Sequence, residues 1–397
     1  MRYYLIGAFD RHNYGDILFP LVHSQFIKEQ RGEEAQIEYV AITAADLRDC
    51  GGFTTTALKS VLKSTLSSED KVILCGGDIL SADWLLMVAH ISSPLLMKPA
   101  RVLRRLLGIK TTNDLVRNLL GEVSTYPYVV GGLDTAADVY YTAVGGAGFN
   151  ADNPAHLQSV AEKLSTAASV SVRDHEIAAL LTSSGIDNRV VPDTALIMSD
   201  YYTPDRLKGR DWQQSVQVSG DFNFENYYSV QGAKRLIDGH VEALAAQFKT
   251  IYEKTGMAPL MVPIGRAPDH EDHIPLQKIY RRLAESGVPC AYLDSEHVLD
   301  IMACLAFARS YIGTSLHGAI TTYAFGHKPC ALFAPEVKKL SDFIQTWLKP
   351  GDAALFETQD FADQFIELLA DGGEIADQAG LKANKLAVRQ ELERYLS

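Results

Sequence analysis

The chain has 397 residues, of which 47% are hydrophobic and 22% charged, with a formal net charge of −12. That length is too great for one hydrophobic core and suits two domains. The acidic balance excludes a general nucleic-acid binder, whose phosphate contacts require a basic surface, and means that an anionic ligand needs a locally positive pocket. The five cysteines, Cys50, Cys75, Cys290, Cys304 and Cys330, are odd in number and contain no Cys-x-x-Cys pair. Neither a disulfide framework nor a zinc site is expected, and a reducing compartment is the default. Met1 to Ile6 runs straight into a strand without the apolar h-region or cleavage site of a signal peptide, so the expected location is cytoplasmic. The nearest approach to a membrane span is Trp84 to Met97, 14 residues interrupted by His90 and Pro94. A spanning helix needs about 20.

In chain order, Tyr3 to Gly7 reads as a short strand, followed by a loop containing Asn13-Tyr14-Gly15-Asp16 and a helix from Ile17 to about Lys28. Strand, glycine-containing loop and helix build a ligand site at a strand end. Neither a dinucleotide fingerprint nor a P-loop is present. Asp16 is placed either to cap that helix or to face a ligand. Ile37 to Ile42 is a strand, Asp46 to Leu66 has a helical period, and Lys71 to Cys75 is a buried strand closed by Gly76-Gly77-Asp78. The two glycines permit a tight turn and close backbone approach.

Residues 81 to 121 depart from α/β alternation. Between Lys98 and Arg117 six cations stand against one anion, Asp114, a local charge of +5. Arg101, Arg104 and Arg105 share one helical face, and Val102, Leu103, Leu106 and Leu107 cover another. Such a helix can lie at the inner face of an anionic membrane or simply cap a domain. Strands follow at Val139 to Val144 and Ser169 to Val172, with helices at Ala155 to Thr166 and His175 to Ser184. Arg173 ends the second of these strands. It can pair with Asp174 or a helix end, or grip a carboxylate or phosphate with two parallel hydrogen bonds.

Tyr201 to Trp212 reads as the linker. Ser215 to Ser219 is a strand, Asp221 to Tyr228 an aromatic polar loop, and Gly232 to Lys254 a long amphipathic helix. After a strand at Pro259 to Ile264 comes a loop holding Arg266, His270, Glu271, Asp272 and His273, whose spacing fits no zinc signature. A helix from Leu276 to Glu285, a strand from Pro289 to Leu293 and a helix from Val298 to Ala308 lead to Tyr311-Ile312-Gly313-Thr314-Ser315-Leu316-His317-Gly318. This is a strand, a small turn and the start of a helix that Gly326 and Pro329 close. Backbone N–H groups at a helix start suit an anion, with Thr314 and Ser315 as hydroxyl donors beside them. Two further helices, from about Thr358 and Ala376, form the tail.

The Leu316-His317-Gly318 turn with its alanine-containing helix resembles the C-terminal signature of the polysaccharide pyruvyltransferase family. The Asn13 to Asp16 loop, the Gly76-Gly77 pair, the Val170 to Asp174 strand end with Pro192-Asp193, and His270 and Asp272 before a helix are also similar to that family's pattern. The resemblance implies an α/β chain of glycosyltransferase-B type, two Rossmann-like domains with the active site between them. Their expected extents are residues 1–200, on the acceptor side, and 213–370, on the donor side, with a C-terminal helix in 371–397. It implies phosphoenolpyruvate as donor, and as acceptor a polysaccharide sugar or its lipid-linked precursor with two free hydroxyls. The products would be a cyclic pyruvate ketal and phosphate, and neither a cofactor nor a metal is required. On this reading Arg173, Arg266, Thr314, Ser315, Leu316, His317 and Gly318 bind the donor. Asn13, Tyr14, Asp16, Gly76, Gly77, Asp78, His270 and Asp272 bind the acceptor. His317, Arg173 and Asp16 are catalytic, with Asp16 and Asp272 the candidate acids for protonating the enol carbon. Many family members carry an arginine where this chain has Ser315, so Arg266 is expected to replace that cation, or the donor differs. The alternatives are a glycosyltransferase using a nucleotide sugar and a non-catalytic carbohydrate-binding relative.

Overall fold

The computed structural model describes residues 1–92, 94–130, 136–146, 149, 152–266 and 271–397, without the side chains of 90–97. The chain forms two compact units: Met1–Arg11, Asp16–Thr194 and Ala387–Ser397 make the first, and His12–Gly15 with Ala195–Leu386 the second. Two features differ from a simple division of the sequence. The loop after the first strand belongs to the second unit, and the end of the C-terminal helix, Gln378–Glu393, belongs to the first.

The first unit is built on a seven-stranded sheet. Its strands are β1 (Tyr3–Ile6), β2 (Ile37–Ala41), β3 (Thr56–Ala57), β4 (Lys71–Cys75), β5 (Asp138–Val144), β6 (Ser169–Val172) and β7 (Arg189–Val190). The order is β3-β2-β1-β4-β5-β6-β7, parallel throughout. β1 and β4 are buried along their whole length, as strands covered by helices on both faces must be. Sequence order reverses direction between β1 and β4, so the loops after these two strands open at the sheet's switch point. The stretch read as helical from Asp46 instead holds a 3-10 turn (Arg48–Cys50), the short β3 and a helix confined to Leu58–Leu62. Gly51, at φ 82, ends the turn in a left-handed conformation that breaks the apparent helical period.

The second unit repeats the plan. β8 (Val216–Ser219), β9 (Tyr227–Val230), β10 (Ala258–Met261), β11 (Cys290–Leu293), β12 (Ser310–Gly313), β13 (Lys328–Leu332) and β14 (Ala354–Phe356) assemble as β14-β13-β12-β9-β10-β11-β8. Only β8, at the edge, pairs antiparallel. From β9 onward the order matches that of the first sheet, with the switch point between β9 and β12. β9 is the correction of most consequence, because it is the central strand and its first two residues, Tyr227 and Tyr228, fall in the stretch read as an aromatic polar loop. Its four residues, Tyr-Tyr-Ser-Val, are fully buried; all four pair with β10, and Ser229 and Val230 pair with β12 as well. They were hidden by the polar Asn223–Asn226 that precede them. The long helix expected from Gly232 is broken near Gly239 into Lys234–Ile237 and Val241–Thr255.

Candidate functional site

The signature helix runs from Leu316 to Ala324 and starts one residue beyond the turn that ends β12. Ser315 is its N-cap, with its hydroxyl accepting from Gly318 N at 3.4 Å. Both hydroxyls expected to face a ligand therefore have internal partners. Thr314 Oγ1 accepts from Ala233 N at 2.9 Å and donates to Gln231 Oε1 at 3.2 Å. Tyr311 lies beneath the turn. Its hydroxyl receives Ser315 N at 3.0 Å, and a Cβ on Gly318 would come within 2.6 Å of its ring. Glycine at 318 is thus a packing requirement of the helix start.

Gln231 organises this place. It follows β9, and its Oε1 accepts from Thr314 N and Tyr311 Oη, each at 3.0 Å. Its Nε2 donates to Asp272 Oδ2 at 2.7 Å, and the same oxygen accepts Gly265 N at 2.9 Å and Ile264 N at 3.2 Å. Asp272 is 1% exposed and fastens the β10 loop to the switch point, rather than capping the helix His273–Glu285 that it precedes. Sequence reasoning missed Gln231 because it missed β9. A glutamine directly after a strand and before Gly232 was the available signal.

The N-terminal loop completes the site. Asn13 forms a β-bridge with Gly265, and Tyr14 N donates to Ile264 O at 3.3 Å. Asn13 Oδ1 accepts Gly15 N at 3.0 Å and so closes the start of the helix Tyr14–Arg31. That helix begins earlier than expected and takes Asp16 into its first turn, so Asp16 is not the cap. Tyr14 is fully buried, and its hydroxyl pairs with Thr321 Oγ1 at 2.8 Å, while Thr321 donates to His317 O at 2.7 Å. Gly15 lies directly against the imidazole of His317, where any Cβ would collide with Nδ1. The two motifs at opposite ends of the chain thus meet as one packed contact. Arg266, on the β10 loop, forms an ion pair with Glu296 at 3.3 Å, and His12 Nε2 bonds to Glu296 O at 2.6 Å. His270 lies outside the described residues.

A second group sits at the strand ends of the first unit. Arg173 follows β6, and its Nη1 and Nη2 meet Asp193 Oδ2 at 2.8 Å and Asp78 Oδ1 at 3.2 Å. The Arg173 and Asp193 side chains are only 8% and 2% exposed, while that of Asp78 is 29% exposed. Gly145 after β5 is held by its N–H to Gly77 O at 2.6 Å, and a Cβ there would come within 2.7 Å of Arg173 Nε. Asp174, considered from sequence as a partner of Arg173, instead caps the next helix by accepting Ile177 N at 2.8 Å. Gly76 and Gly77 open the β4 turn beside this cluster, with the Arg173 guanidinium next to Gly77. Arg11, an ion-pair partner of Asp10 at 3.3 Å, lies within electrostatic reach of Asp16. The sequence reading did not single it out. Among the described residues no group of His, Cys, Asp and Glu is arranged to hold a metal ion.

Two sheets of Rossmann strand order, each with its polar residues gathered at a switch point, define a fold of glycosyltransferase-B type. Solved structures agree. The chain is similar to UDP-GlcNAc 2-epimerase from Neisseria meningitidis bound to UDP-GlcNAc, with 11% identity, TM-score 0.52 and 100% of each chain covered. It is likewise similar to UDP-GlcNAc 2-epimerase from Methanocaldococcus jannaschii, with 10% identity, TM-score 0.53, and 97% of this chain and 99% of that one covered. At these identities the likeness concerns the fold. Comparison with curated proteins gives no match. The family is settled by sequence: the polysaccharide pyruvyl transferase family model matches residues 13–335, and the chain belongs to that family.

Proposed function

We propose that the protein transfers the pyruvyl group of phosphoenolpyruvate to two hydroxyls of a sugar in a polysaccharide or its lipid-linked precursor. In the balanced reaction one sugar oxygen bonds to carbon 2 of the enol while carbon 3 gains a proton. The C–O bond to phosphate then breaks, and the second sugar oxygen closes the ketal. Of the two protons lost by the sugar, one is matched by the new methyl hydrogen and the other by protonation of the phosphate. The chemistry requires a site for a compact polyanion, a proton donor to the leaving phosphate and a proton source for carbon 3.

The observation that carries the reading is His317 in the first turn of a switch-point helix, wedged on Gly15, in a chain of this family. Leu316 and His317 at the helix start bind the donor phosphate, with Gly318 allowing the close packing there, Thr314 and Ser315 shaping the turn and Arg266 supplying a cation. His317 protonates the leaving phosphate. Asp16 is the better candidate to protonate carbon 3, since one carboxylate oxygen of Asp272 already accepts three N–H groups. Asn13, Tyr14, Gly76, Gly77 and Asp78 serve the acceptor. The Arg173 fork is occupied by two carboxylates, so as a donor clamp it must exchange Asp78 for the ligand; otherwise it orients Asp78 toward a sugar hydroxyl.

The test is thermal-shift titration followed by phosphate release. Stabilisation by phosphoenolpyruvate, with phosphate released only when acceptor is added, supports the proposal. Stabilisation by UDP or a UDP-sugar alone supports the nucleotide-sugar reading that the UDP-GlcNAc-bound structural relative suggests. Sugar binding with no phosphate release from any donor supports a non-catalytic role.

A further inference from the structure

Residues 84–120 form three helices, Trp84–Ser92, Pro94–Leu107 and Ile109–Leu120, inserted between β4 and β5 of the first unit. Their base is fastened. Asn113 is buried, its Oδ1 accepting Trp84 N at 3.0 Å and its Nδ2 donating to Thr125 O at 2.8 Å. Trp84 Nε1 reaches Ser124 O at 3.1 Å, and Arg104 turns inward to Asp83 at 2.9 Å. The outer side is a different surface. Of the eleven exposed large hydrophobic residues among the described ones, eight lie between Val102 and Val123. Leu106 and Leu119 are 75% and 78% exposed. Val102, Leu103, Leu106 and Leu107 recur at the spacing of one helical face, and Lys98, Arg101 and Arg105, all exposed, line its border.

We propose that this helical insertion docks on an anionic lipid bilayer. Apolar side chains flanked by cations are the chemistry of a helix lying in the membrane interface. There the leucines enter the acyl boundary and the lysines and arginines meet lipid phosphates. No helix of the described residues is long and apolar enough to cross the bilayer, so the contact is peripheral. Charge selects this occupant over a second copy of the chain. A two-fold interface would place the patch on itself, cation against cation. A bilayer with anionic headgroups instead offers the complementary sign to the exposed Lys98, Arg101 and Arg105, in a chain whose total is −12. The proposal stands independently of the donor used for catalysis.

The experiment is flotation of the full-length protein with vesicles of phosphatidylcholine alone or with about 30% phosphatidylglycerol. The protein is expected to float with the anionic vesicles at least ~10-fold more tightly than with neutral ones, and to be released as salt rises from about 0.1 to 0.5 M. Leu106→Glu with Leu119→Glu should abolish flotation. Arg101→Gln with Arg105→Gln should weaken it by about fivefold per cation removed. Both double variants replace exposed side chains, so their unfolding transitions should match the parent. Absence of flotation with either vesicle overturns the proposal, as does binding that survives both double variants. A concentration-dependent dimer in sedimentation velocity that the leucine substitutions abolish, without vesicle binding, assigns the face to a second copy and equally overturns it.

Discussion

The two switch points share a topology and solve opposite problems. In the first unit a buried guanidinium is matched by Asp78 and Asp193, and the glycines at 77 and 145 give it room. In the second the centre is a neutral amide, Gln231, which ties the β9, β10 and β12 loops together and joins the buried Asp272 carboxylate to the turn before the helix start at His317. The same strand order can therefore hold either a compensated ion cluster or an anion-seeking helix start. What decides between them is which side chain follows each strand, so function must be argued from the residues and not from the fold.

This contrast predicts that Arg173 and His317 fail differently. Arg173→Ala removes the guanidinium that faces the buried Asp193 carboxylate and should cost about 3–5 kcal/mol in urea unfolding. Arg173→Ala with Asp193→Asn should recover part of that loss. If the single variant unfolds like the parent, the cluster is not structural. His317→Ala removes a ring packed on Gly15 and should cost only about 1 kcal/mol of stability. On the proposed chemistry it should lower phosphate release about 10²–10⁴-fold. Wild-type turnover by that variant would remove His317 from the reaction.

Gln231→Ala tests the other half of the comparison. It strips Thr314 N and Tyr311 Oη of an acceptor and Asp272 of a donor, for an expected loss of about 1–3 kcal/mol. Because Gln231 shapes the turn before Leu316, donor stabilisation in a thermal-shift titration should fall as well. A variant that loses stability but keeps donor affinity would make Gln231 a fold residue only. Gly15→Ala perturbs the site from the opposite side. Its methyl meets the imidazole, so affinity should fall even if the helix tolerates alanine.

What could be read in advance followed local signals. Strands such as Lys71–Cys75 are continuous apolar runs bounded by Gly76-Gly77, and the signature helix has a cap, a small-residue body and a glycine stop. The strand, turn and helix pattern placed Arg173 and the turn before His317 just after strands, and β6 and β12 do end at Val172 and Gly313. Long-range facts left no such trace. β9 is four residues long and sits beside polar neighbours, so its central position depends on pairing with strands distant in sequence. The partners of Arg173 are Asp193, twenty residues on, and Asp78 on the β4 turn, and not the adjacent Asp174. The packing of Gly15 on His317 is a contact between residues roughly three hundred apart, and no periodicity reports it.

The smallest expected effect concerns how the chain's C-terminus is held to the first unit. His23 is fully buried, with Nε2 3.2 Å from Thr194 Oγ1 and Nδ1 3.3 Å from Tyr395 Oη. Burial lowers its pKa from 6.5 to about 3, against a weaker opposing pull from Asp193. The folded state therefore keeps the ring neutral, whereas the unfolded chain takes up a proton below about pH 6.5. Stability is full above that pH and drains away as pH falls toward 3. By pH 5.5, one unit below the ordinary value, the loss from this residue should approach about 1.4 kcal/mol. His156, also lowered by burial to about 4, contributes in the same direction, so the wild-type curve alone cannot isolate His23. The informative quantity is the difference from His23→Gln, which keeps a hydrogen-bonding side chain but cannot titrate. That difference, measured by urea unfolding at pH 7 and pH 5.5, should move by about 1.2 kcal/mol in favour of the variant at the lower pH. A difference that does not change with pH would mean that His23 is not held neutral between Thr194 and Tyr395.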